Sequence, residues 1–446
     1  MTGSLPAADL RAFLARLDAD GQLLRVRREV DPRFELPAVT KRIQQTTNLP
    51  VLFERVRGTA FRVLSNAYGH YGIVARLLGT DVSGVAATWA ALLADAGARP
   101  LDEPAEATPP TRDVSLADVP HLQYCEKDAG PYLTASVVLA RDPETGVENL
   151  SYHRMQMIDA TELRARLSPA GDLFRIQQKA ERLGKSVPVA VLVGNPPAIN
   201  LAAAAAIPAG TSELALAERL AGRRLRRRPC ATVDLAVPAE SEFVIEGEIL
   251  ADVRRPEGPF GEWQDYYVPV TDNHVLKVNR VTAREDAIFH AILSGSSEEL
   301  TLSAIPNAAL VYRAIRAFDP SVTDVACYPW PQFCVVQIAK RYEGQAQKAM
   351  LGAMGAETNR MLYCVVVDED VDIHDLRDVV WAMATRCRPD RGIMQIPNVP
   401  SFARDPHQIH WGRLGIDATA PLAWRDEFER KRYPGLEAIR LEDYLG

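Results

Sequence analysis

The sequence predicts a mixed α+β and α/β protein whose two main parts are joined by a helix. The chain has 446 residues, which is more than one compact core of usual size requires. Short strand-like runs dominate up to about residue 302, whereas strands and helices alternate after about residue 318. We therefore expect a first domain over residues 1–302, a linker helix over 303–318 and an α/β domain over 319–446.

The first domain is predicted to open with an amphipathic helix and to continue mainly as strands. A helix ending near Gly21 is indicated by apolar residues at helical spacing, namely Leu10, Phe13, Leu14 and Leu17. Strand-like runs follow at residues 134–141, 149–158, 187–194 and 242–252. A helical stripe closed by Gly184 separates the second run from the third, and the Pro- and acid-rich segment 99–115 is interpreted as a linker or wrapping loop.

The second domain is predicted from a change of pattern near residue 302. An apolar helical stretch, LSAIPNAALVYRAIRAF, covers residues 302–318. Beyond it, strand-like and helix-like segments alternate in the order QFCVVQIAK, EGQAQKAMLGAM, MLYCVVVDED and HDLRDVVWAMATRC. This alternation is typical of an α/β layer, in which helices cover a sheet.

Composition and charge exclude several classes of protein. Hydrophobic residues make up 47% of the chain and charged residues 24%, and the net charge of −7 argues against a general nucleic-acid binder. The basic run at 223–229 is interpreted as a solvated face or an edge-strand guard. The six cysteines include no C-x-x-C pair, which favours reduced thiols and a cytoplasmic location. The sequence shows neither the apolar core of a signal peptide nor an apolar run that could cross a bilayer.

Two glutamates in the stretch EGPFGEWQDYY are the first candidates for chemistry. Glu257 and Glu262 flank a Gly-Pro-Phe-Gly segment, which we expect to form a tight turn after a strand. Aromatic residues that could exclude water follow them, namely Trp263, Tyr266 and Tyr267. Desolvation would raise the pKa of one carboxyl, which could then act as a general acid near neutral pH. The alternative is a polar turn whose acids cap backbone amides.

The stretch NLSYHRMQ is the second candidate. Because side chains alternate along a strand, one face would carry Asn149, Ser151 and His153 and the other Leu150, Tyr152 and Arg154. An arginine beside a pocket can bind a substrate carboxylate through two N–H groups. An ordinary edge strand is the alternative.

Acidic residues elsewhere are weaker candidates for metal binding. Glu213 could supply a hard oxygen ligand to a divalent cation, although Ser212 followed by Glu213 is also a good helix-start signature, which makes an ordinary helix start a strong alternative. The acidic run at 368–375 lacks the glycine and the terminal glutamate of a calcium loop and is interpreted as a capping loop. The sequence contains no motif of serine hydrolases, zinc peptidases, P-loop NTPases or classical dinucleotide-binding proteins.

Together these motifs resemble the UbiD family of prenylated-FMN-dependent decarboxylases over nearly the whole chain. The matching stretches include DLRAFLARLDADGQLLRVRREV, DPETGVENLSYHRMQ, GTSELALAERLAG, EGPFGEWQDYY and GIDATAP. The resemblance implies an N-terminal flavin-binding domain with a split β-barrel core, a linker helix and a C-terminal α/β oligomerisation domain. A homodimer or a larger homo-oligomer is therefore expected.

The resemblance assigns a catalytic triad to three residues. Arg154 matches the family's arginine, Glu257 the first acid and Glu262 the second acid, which is the usual proton donor. Arg154 is expected to orient the substrate carboxylate, Glu257 to hold Arg154, and Glu262 to give the proton that replaces CO₂. We expect Arg154 to lower the pKa of Glu257, and burial beside the aromatic residues to raise that of Glu262.

The resemblance also implies where a cofactor and a metal bind. Asn149 and Glu213 match ligands of a divalent metal at the phosphate of prenylated FMN, with Mn²⁺ expected, Mg²⁺ as the alternative and K⁺ as an additional ion. Some relatives add a histidine further along the chain. The stretch LSPAGDLFRI has none, so Asp172 or a water molecule would take that place. Flavin-contacting positions correspond to Tyr152, His153, Arg154, Arg166 and Leu167.

The implied activity is reversible, non-oxidative decarboxylation of an aromatic, heteroaromatic or α,β-unsaturated acid through a covalent adduct with prenylated FMN. A flavin prenyltransferase would supply the cofactor. The absence of an obvious polyprenyl groove favours a small aromatic or heteroaromatic acid. Two alternatives stay open: a flavin-binding homologue without decarboxylase activity, and a cofactor-free metal hydrolase, which the lack of a water-activating ligand set disfavours.

Overall fold

The computed structural model describes residues 5–94, 101–103, 107–207, 211–327, 330–356, 361–400 and 410–445. Three main sheets and a two-stranded ribbon organise these residues. The predicted loop at 99–115 lies partly outside the described ranges. The predicted mixture of α+β and α/β architecture is confirmed.

The N-terminal unit is a small sheet covered by helices. Its elements are α1 (Leu10–Ala19), β1 (Leu24–Val26), α2 (Glu35–Gln44), β2 (Val51–Phe53), β3 (Arg62–Ser65), α3 (Tyr71–Leu77) and α4 (Val85–Ala94). Asp9 caps α1 by accepting a hydrogen bond from the backbone N–H of Ala12 at 2.9 Å. The apolar stripe that predicts this helix is buried. The sheet has the order β1–β2–β3–β15, in which β15 (Ile288–Ala291) returns from the central part of the chain.

The central unit is built on a long antiparallel sheet. Its strands are β4 (Thr111–Val114), β5 (Tyr132–Leu133), β6 (Val137–Arg141), β7 (Glu148–Tyr152), β8 (Met155–Met157), β9 (Glu162–Ala165), β10 (Val187–Val193), β13 (Phe243–Gly261) and β14 (Tyr267–Arg284). The strand order is β5–β8–β9–β14–β13–β10–β6–β7, and β4 also pairs with β14. Its end strands β5 and β7 do not pair with each other in the described residues, so the sheet is an open path and not a closed barrel.

Helices and a ribbon complete the central unit. They are α5 (Asp172–Arg182), α6 (Pro197–Ala203), α7 (Glu213–Ala221), β11 (Arg227–Pro229) and β12 (Ala236–Pro238). The predicted basic run contributes to β11, whose Arg227 forms an ion pair with Glu148 at 2.7 Å. Among the described residues the run therefore includes part of a short ribbon strand.

Both faces of the central sheet are buried, which explains its continuous apolar runs. In β6, Val137 and Leu139 join one hydrophobic cluster, whereas Val138 and Ala140 join another. A strand covered on both faces has no polar side to present to solvent. The predicted strand at 149–158 divides into β7 and β8, because the chain leaves the ladder at His153 and Arg154.

The C-terminal unit begins with a long helix and ends in a five-stranded sheet. Its elements are α8 (Ser297–Arg316), β16 (Val322–Ala326), β17 (Phe333–Ile338), α9 (Gln345–Ala356), β18 (Tyr363–Asp368), α10 (Leu376–Arg386), β19 (Ile393–Pro400), β20 (His410–Ala418) and α11 (Glu442–Leu445). The order β16–β17–β18–β20–β19 contains parallel pairs β17–β18 and β18–β20. The acidic run at 368–375 connects β18 to α10, and Asp375 caps that helix.

The linker helix starts six residues earlier than predicted. Ser296 caps α8 by accepting a hydrogen bond from the backbone N–H of Glu299 at 3.4 Å, and Glu298 and Glu299 occupy the first turn. The predicted domain boundaries stay predictions. Among the described helices no single one is long and apolar enough to cross a membrane. The pair 71–77 and 82–94 meets the length and composition criteria together but is bent by 66°.

Candidate active site

A cavity of about 450 Å³ lies where β7, the start of α5, the end of β13 and α8 meet. The predicted site residues that line it are Asn149, Tyr152, Arg154, Arg166, Asp172, Glu213 and Glu262. The other three, His153, Leu167 and Glu257, are buried but are not among the lining residues. The fold thus brings together residues that lie more than 100 positions apart in the chain.

Arg154 is held between the two glutamates. Its Nε donates to Oε1 of Glu257 at 2.9 Å, and its Nη1 donates to Oε1 of Glu262. The guanidinium carbon lies 4.7 Å from the centre of the Phe260 ring, and only 8% of the arginine side chain is exposed. Its Nη2 is buried and has no hydrogen-bond partner among the described residues. A buried N–H group of this kind is suited to an anionic ligand.

The glutamate pair does not lie on a tight turn, contrary to the prediction. Residues 257–261 continue β13 and pair with β14, and the turn comes after Glu262, whose backbone N–H bonds to the carbonyl of Tyr266 at 2.9 Å. A Cβ atom at Gly258 would collide with Ala129, so glycine is needed there for close packing of the strand.

Irregular pairing explains how both carboxylates reach one arginine. Residues five apart on a regular strand point to opposite faces. The register between β13 and β14 shifts between Arg255 and Glu257 and again between Glu257 and Phe260. Bulges of this kind redirect side chains, and here Glu257 and Glu262 both contact Arg154.

The residues that exclude water differ from those expected. Tyr266 and Tyr267 are 55% and 39% exposed, so they do not exclude water from the site. Trp263 is buried and lines the cavity, as predicted. The buried Phe260 packs at 4.6 Å between ring centres against Tyr132. These two rings were not assigned to the site in the sequence analysis, because their burial depends on packing between distant segments.

The pKa of Glu257 is raised, not lowered as expected. Burial disfavours its charged form more than the neighbouring Arg154 favours it. The side-chain amide of Asn273 donates to its Oε2, so both oxygens of the carboxylate are bound. No sequence motif points to Asn273, since its position opposite β13 depends on the register shifts.

Asn149 and Glu213 meet at the other end of the cavity. The amide of Asn149 donates to Oε1 of Glu213 at 3.0 Å, and the backbone N–H of Leu150 donates to Oε2 at 2.9 Å. Glu213 opens α7 directly after Ser212, which caps the helix. Burial raises the pKa of Glu213 to about 7. A buried carboxylate whose hydrogen bonds do not offset the cost of burial would be stabilised by a cation.

Asp172 lies close to this pair but has a partner of its own. It opens α5 and lines the cavity, and its negative charge contributes to the raised pKa of Glu213. Its Oδ1 accepts a hydrogen bond from Nη1 of Arg175 at 2.6 Å. Within the described ranges, no three His, Cys, Asp or Glu side chains converge on one metal position. A third ligand therefore stays a prediction.

The predicted flavin-contacting residues are linked through the backbone. Nδ1 of His153 donates to the carbonyl of Arg166 at 2.8 Å, and the N–H of Arg166 donates to the carbonyl of Arg154 at 3.1 Å. Tyr152 lines the cavity, and its hydroxyl is buried without a hydrogen-bond partner in the described structure. The side chain of Leu167 packs in the hydrophobic core and not on the cavity surface.

Two further walls of the cavity come from elements that the sequence analysis did not assign to the site. Four consecutive alanines, 203–206, form one wall, where small side chains leave room for a ligand. The helix α8 forms the other and contributes Glu299, Ser303 and Asn307. Pro331, from the loop before β17, also borders the cavity.

Comparison with known proteins shows the family to which the chain belongs. Models of the 3-octaprenyl-4-hydroxybenzoate carboxy-lyase family, UbiD, match three successive segments: the N-terminal domain at residues 14–93, the Rift-related domain at 100–297 and the C-terminal domain at 300–418. An anhydromevalonate phosphate decarboxylase of Methanosarcina mazei is 33% identical to this chain, over 95% of this chain and 99% of the relative.

Solved structures agree with these matches. The UbiD-class enzyme HmfF from Pelotomaculum thermopropionicum, in complex with FMN, has a TM-score of 0.91 at 36% identity, over 98% of this chain and all of that one. An evolved dimeric form of that enzyme, in complex with prFMN, has a TM-score of 0.88 over 98% and 100%. The apo 3,4-dihydroxybenzoic acid decarboxylase from Enterobacter cloacae has a TM-score of 0.88 at 26% identity, over 97% and 99%. The family expected from the motifs is therefore confirmed, and the chain belongs to the UbiD family of carboxy-lyases.

Proposed function

We propose that this carboxy-lyase uses prenylated FMN to decarboxylate, reversibly and without oxidation, a small aromatic, heteroaromatic or α,β-unsaturated acid. The observation that carries the proposal is Arg154, which is buried between two glutamates and keeps one nitrogen, Nη2, for an anion. The structure of HmfF with prFMN supports the choice of cofactor.

The residues of the cavity fit a flavin phosphate held through a cation. Asn149 and Glu213 offer an amide oxygen and a buried carboxylate, which are hard ligands suited to Mn²⁺ or Mg²⁺. Asn149 now donates its N–H to Glu213, so its amide would turn to present Oδ1 to the metal. Asp172 or water would complete the site, with K⁺ as an additional ion. When bound, prenylated FMN supplies the electron sink that loss of CO₂ from an sp² carbon requires.

The three residues of the proposed triad bind the substrate, hold the arginine in place and transfer the proton. Arg154 binds the substrate carboxylate through Nη2, and Glu257 fixes the guanidinium through Nε. Glu262 delivers a proton to the carbon that loses CO₂ and accepts it in the reverse direction. Trp263 and Phe260 keep bulk water away, so that the proton comes from Glu262.

The names of the relatives refer to two kinds of substrate, so the choice of substrate class for this chain is a proposal. One solved neighbour is named for a dihydroxybenzoic acid, and one sequence relative for a phosphorylated acid. The cavity of about 450 Å³ has to hold both cofactor and substrate, which favours a small acid.

We further propose a homodimer or larger assembly, since a dimeric form of HmfF is known. We also propose that a flavin prenyltransferase supplies the cofactor. A cytoplasmic location stays a prediction.

Co-expression with a flavin prenyltransferase tests the proposal. The purified protein is expected to contain modified flavin and a divalent metal, and to release CO₂ from at least one acid in a panel of aryl, heteroaryl and α,β-unsaturated acids. Solvent H/D exchange into the products reports the reverse direction. Protein made without the prenyltransferase is the control. Full loading with modified flavin but no turnover of any acid would instead favour the alternative, a flavin-binding homologue without decarboxylase activity.

A further inference from the structure

The end of β13 that carries the two glutamates is covered by a loop on one edge. Among the described strands only β14 pairs with residues 257–261, because β10 pairs with β13 no further than Ile249. Residues 124–130 contact this part of β13 instead. The backbone N–H of Ala129 donates to the carbonyl of Pro259 at 3.0 Å. The loop thus supplies a partner that a neighbouring strand would otherwise provide.

Asp128 connects this loop to β13 through its two carboxylate oxygens. Oδ2 accepts hydrogen bonds from the backbone N–H groups of Tyr124 at 3.2 Å and Cys125 at 2.7 Å, which shape the loop itself. Oδ1 accepts a hydrogen bond from the backbone N–H of Gly261 at 2.9 Å. Only 5% of Asp128 is exposed, so little water competes for these bonds. One carboxylate therefore holds the loop and the strand together.

The chemistry of both partners suits this contact. An ionised carboxylate accepts on both oxygens and presents no donor, whereas an amide would turn an N–H group toward one of the three backbone donors. Bonds to a charged acceptor are also stronger than bonds between neutral groups. A Cβ atom at Gly261 would lie 3.0 Å from Sγ of Cys125 and 3.7 Å from Oδ1 of Asp128. The lack of a side chain at Gly261 thus allows the strand to approach the loop closely.

Gly261 directly precedes Glu262, the proposed proton donor. The backbone N–H of Glu262 donates in turn to the carbonyl of Tyr266 at 2.9 Å. Two successive N–H groups are therefore held, and they fix the backbone from which the side chain of Glu262 reaches Arg154. A misplacement of about 1 Å at a reacting group can lower a rate by about 10²-fold. Asp128 is not among the described residues that line the cavity, so it acts on the site from outside.

We infer that Asp128 is a positioning residue for proton transfer: it accepts the N–H of Gly261 and so keeps the carboxyl of Glu262 within reach of the reacting carbon. This inference rests on the proposed function, because it concerns the residue that transfers the proton. The alternative is a loop cap without influence on catalysis, which needs only the two bonds to Oδ2.

The variant Asp128→Asn separates these two roles. It keeps the size of the side chain, but its single carbonyl oxygen can serve either the loop or Gly261 and not both. In the flavin-loaded, full-length enzyme, amide hydrogen–deuterium exchange in the peptide that contains residues 257–262 should become faster by about tenfold or more, because a buried hydrogen bond is lost. The kcat of CO₂ release and the rate of solvent deuterium incorporation into the decarboxylated product should both fall by about tenfold or more. The KM for the acid and the flavin content should change by less than about threefold.

Two further variants complete the design. Asp118→Asn is the matched control, because Asp118 is an exposed loop carboxylate whose Oδ2 accepts the backbone N–H of Ser115 at 2.8 Å. It should leave every one of these quantities unchanged. Asp128→Glu keeps the charge and both acceptor oxygens on a side chain that is longer by one methylene. It should lose less kcat and less amide protection than Asp128→Asn, and it provides the comparison with wild type if Asp128→Asn does not fold.

Three outcomes would overturn the inference. One is unchanged amide exchange of residues 257–262 in a folded Asp128 variant. Another is faster amide exchange while kcat and deuterium incorporation stay at their wild-type values. The third is a parallel loss of flavin content, acid affinity and kcat, which would indicate a general structural role. Failure of the proposed function looks different, since wild type would then release CO₂ from no acid, while the amide exchange would still report whether Asp128 holds Gly261.

Discussion

Asn273 donates a hydrogen bond from its side-chain amide to Oε2 of Glu257, while Arg154 donates to Oε1 of the same carboxylate. Asn273 and Glu257 are 1% and 2% exposed, so no solvent competes for these bonds. Both oxygens of Glu257 are thus fixed by donors that favour the charged carboxylate, against a burial effect that raises its pKa. We predict that Asn273 is a positioning residue that acts on Arg154 through Glu257.

Replacing Asn273 should therefore change the pH dependence of the reaction. In Asn273→Leu the charged form of Glu257 loses a donor, so its pKa should rise further above the ordinary value. A hydrogen bond to a charged group contributes about 1.5–3 kcal/mol, which corresponds to a shift of the acidic limb of the pH–rate profile by about 1–2 pH units upward. Lys277→Gln, exposed on the same strand, is the control. A loss of rate that is the same at every pH, with no shift of the acidic limb of the pH–rate profile, would contradict this role.

Glu262→Gln should abolish turnover but keep the cofactor. The amide cannot deliver the proton, yet it retains the size of Glu262 and can still contact Arg154. General acids contribute roughly 10²–10⁴-fold to rate, so a loss of that size is expected in kcat. Rates of CO₂ release are compared at equal content of modified flavin. A fully loaded variant that works within about threefold of wild type would remove Glu262 from this role.

Asn149→Ala and Glu213→Ala should each lose metal and modified flavin together. Either change removes an oxygen ligand, and the flavin phosphate then lacks the cation that balances its charge. Metal content and the visible absorption spectrum are recorded after co-expression with the prenyltransferase. Arg175→Gln, at the neighbouring Asp172, is a useful comparison, because it frees a carboxylate without removing either of the two proposed ligands. Normal loading in both ligand variants would show that the metal site is elsewhere.

His274 should make the protein less stable in mild acid. It is 5% exposed and both ring nitrogens lack hydrogen-bond partners in the described structure. Burial, and then the charge of Arg254, lower its pKa to about 4. In the unfolded chain His274 therefore binds a proton below about pH 6.5, whereas in the folded chain it binds one only below about pH 4. The free energy of unfolding should fall across this window, by about 3 kcal/mol at its acid end.

The variant His274→Phe isolates this effect. It keeps a ring that can pack against Phe174, whose ring centre lies 5.9 Å away in an edge-to-face arrangement. Urea unfolding is measured at several pH values between about 7 and 4. The variant should lose less stability than wild type as the pH falls. Parallel curves for the two proteins would show that His274 is not the group responsible.

The sequence by itself determined the family and predicted the three residues of the proposed triad. Arg154, Glu257 and Glu262 were named from motifs, and the structure places them in contact. Local periodicity was also sufficient for α1 and for the strand β10, because helical spacing and continuous apolar runs are properties of short segments. Asn149 and Glu213 were paired by resemblance and are hydrogen-bonded in the fold.

Only the tertiary structure decided how these residues act on one another. The register shifts between β13 and β14 bring Glu257 and Glu262 to the same arginine, and they place Asn273 on Glu257. Whether an aromatic side chain is buried also depends on distant packing, which is why Phe260 and not Tyr266 shields the site. The raised pKa of Glu257 follows from burial. Burial results from contacts between segments far apart in the chain, and no local pattern encodes it.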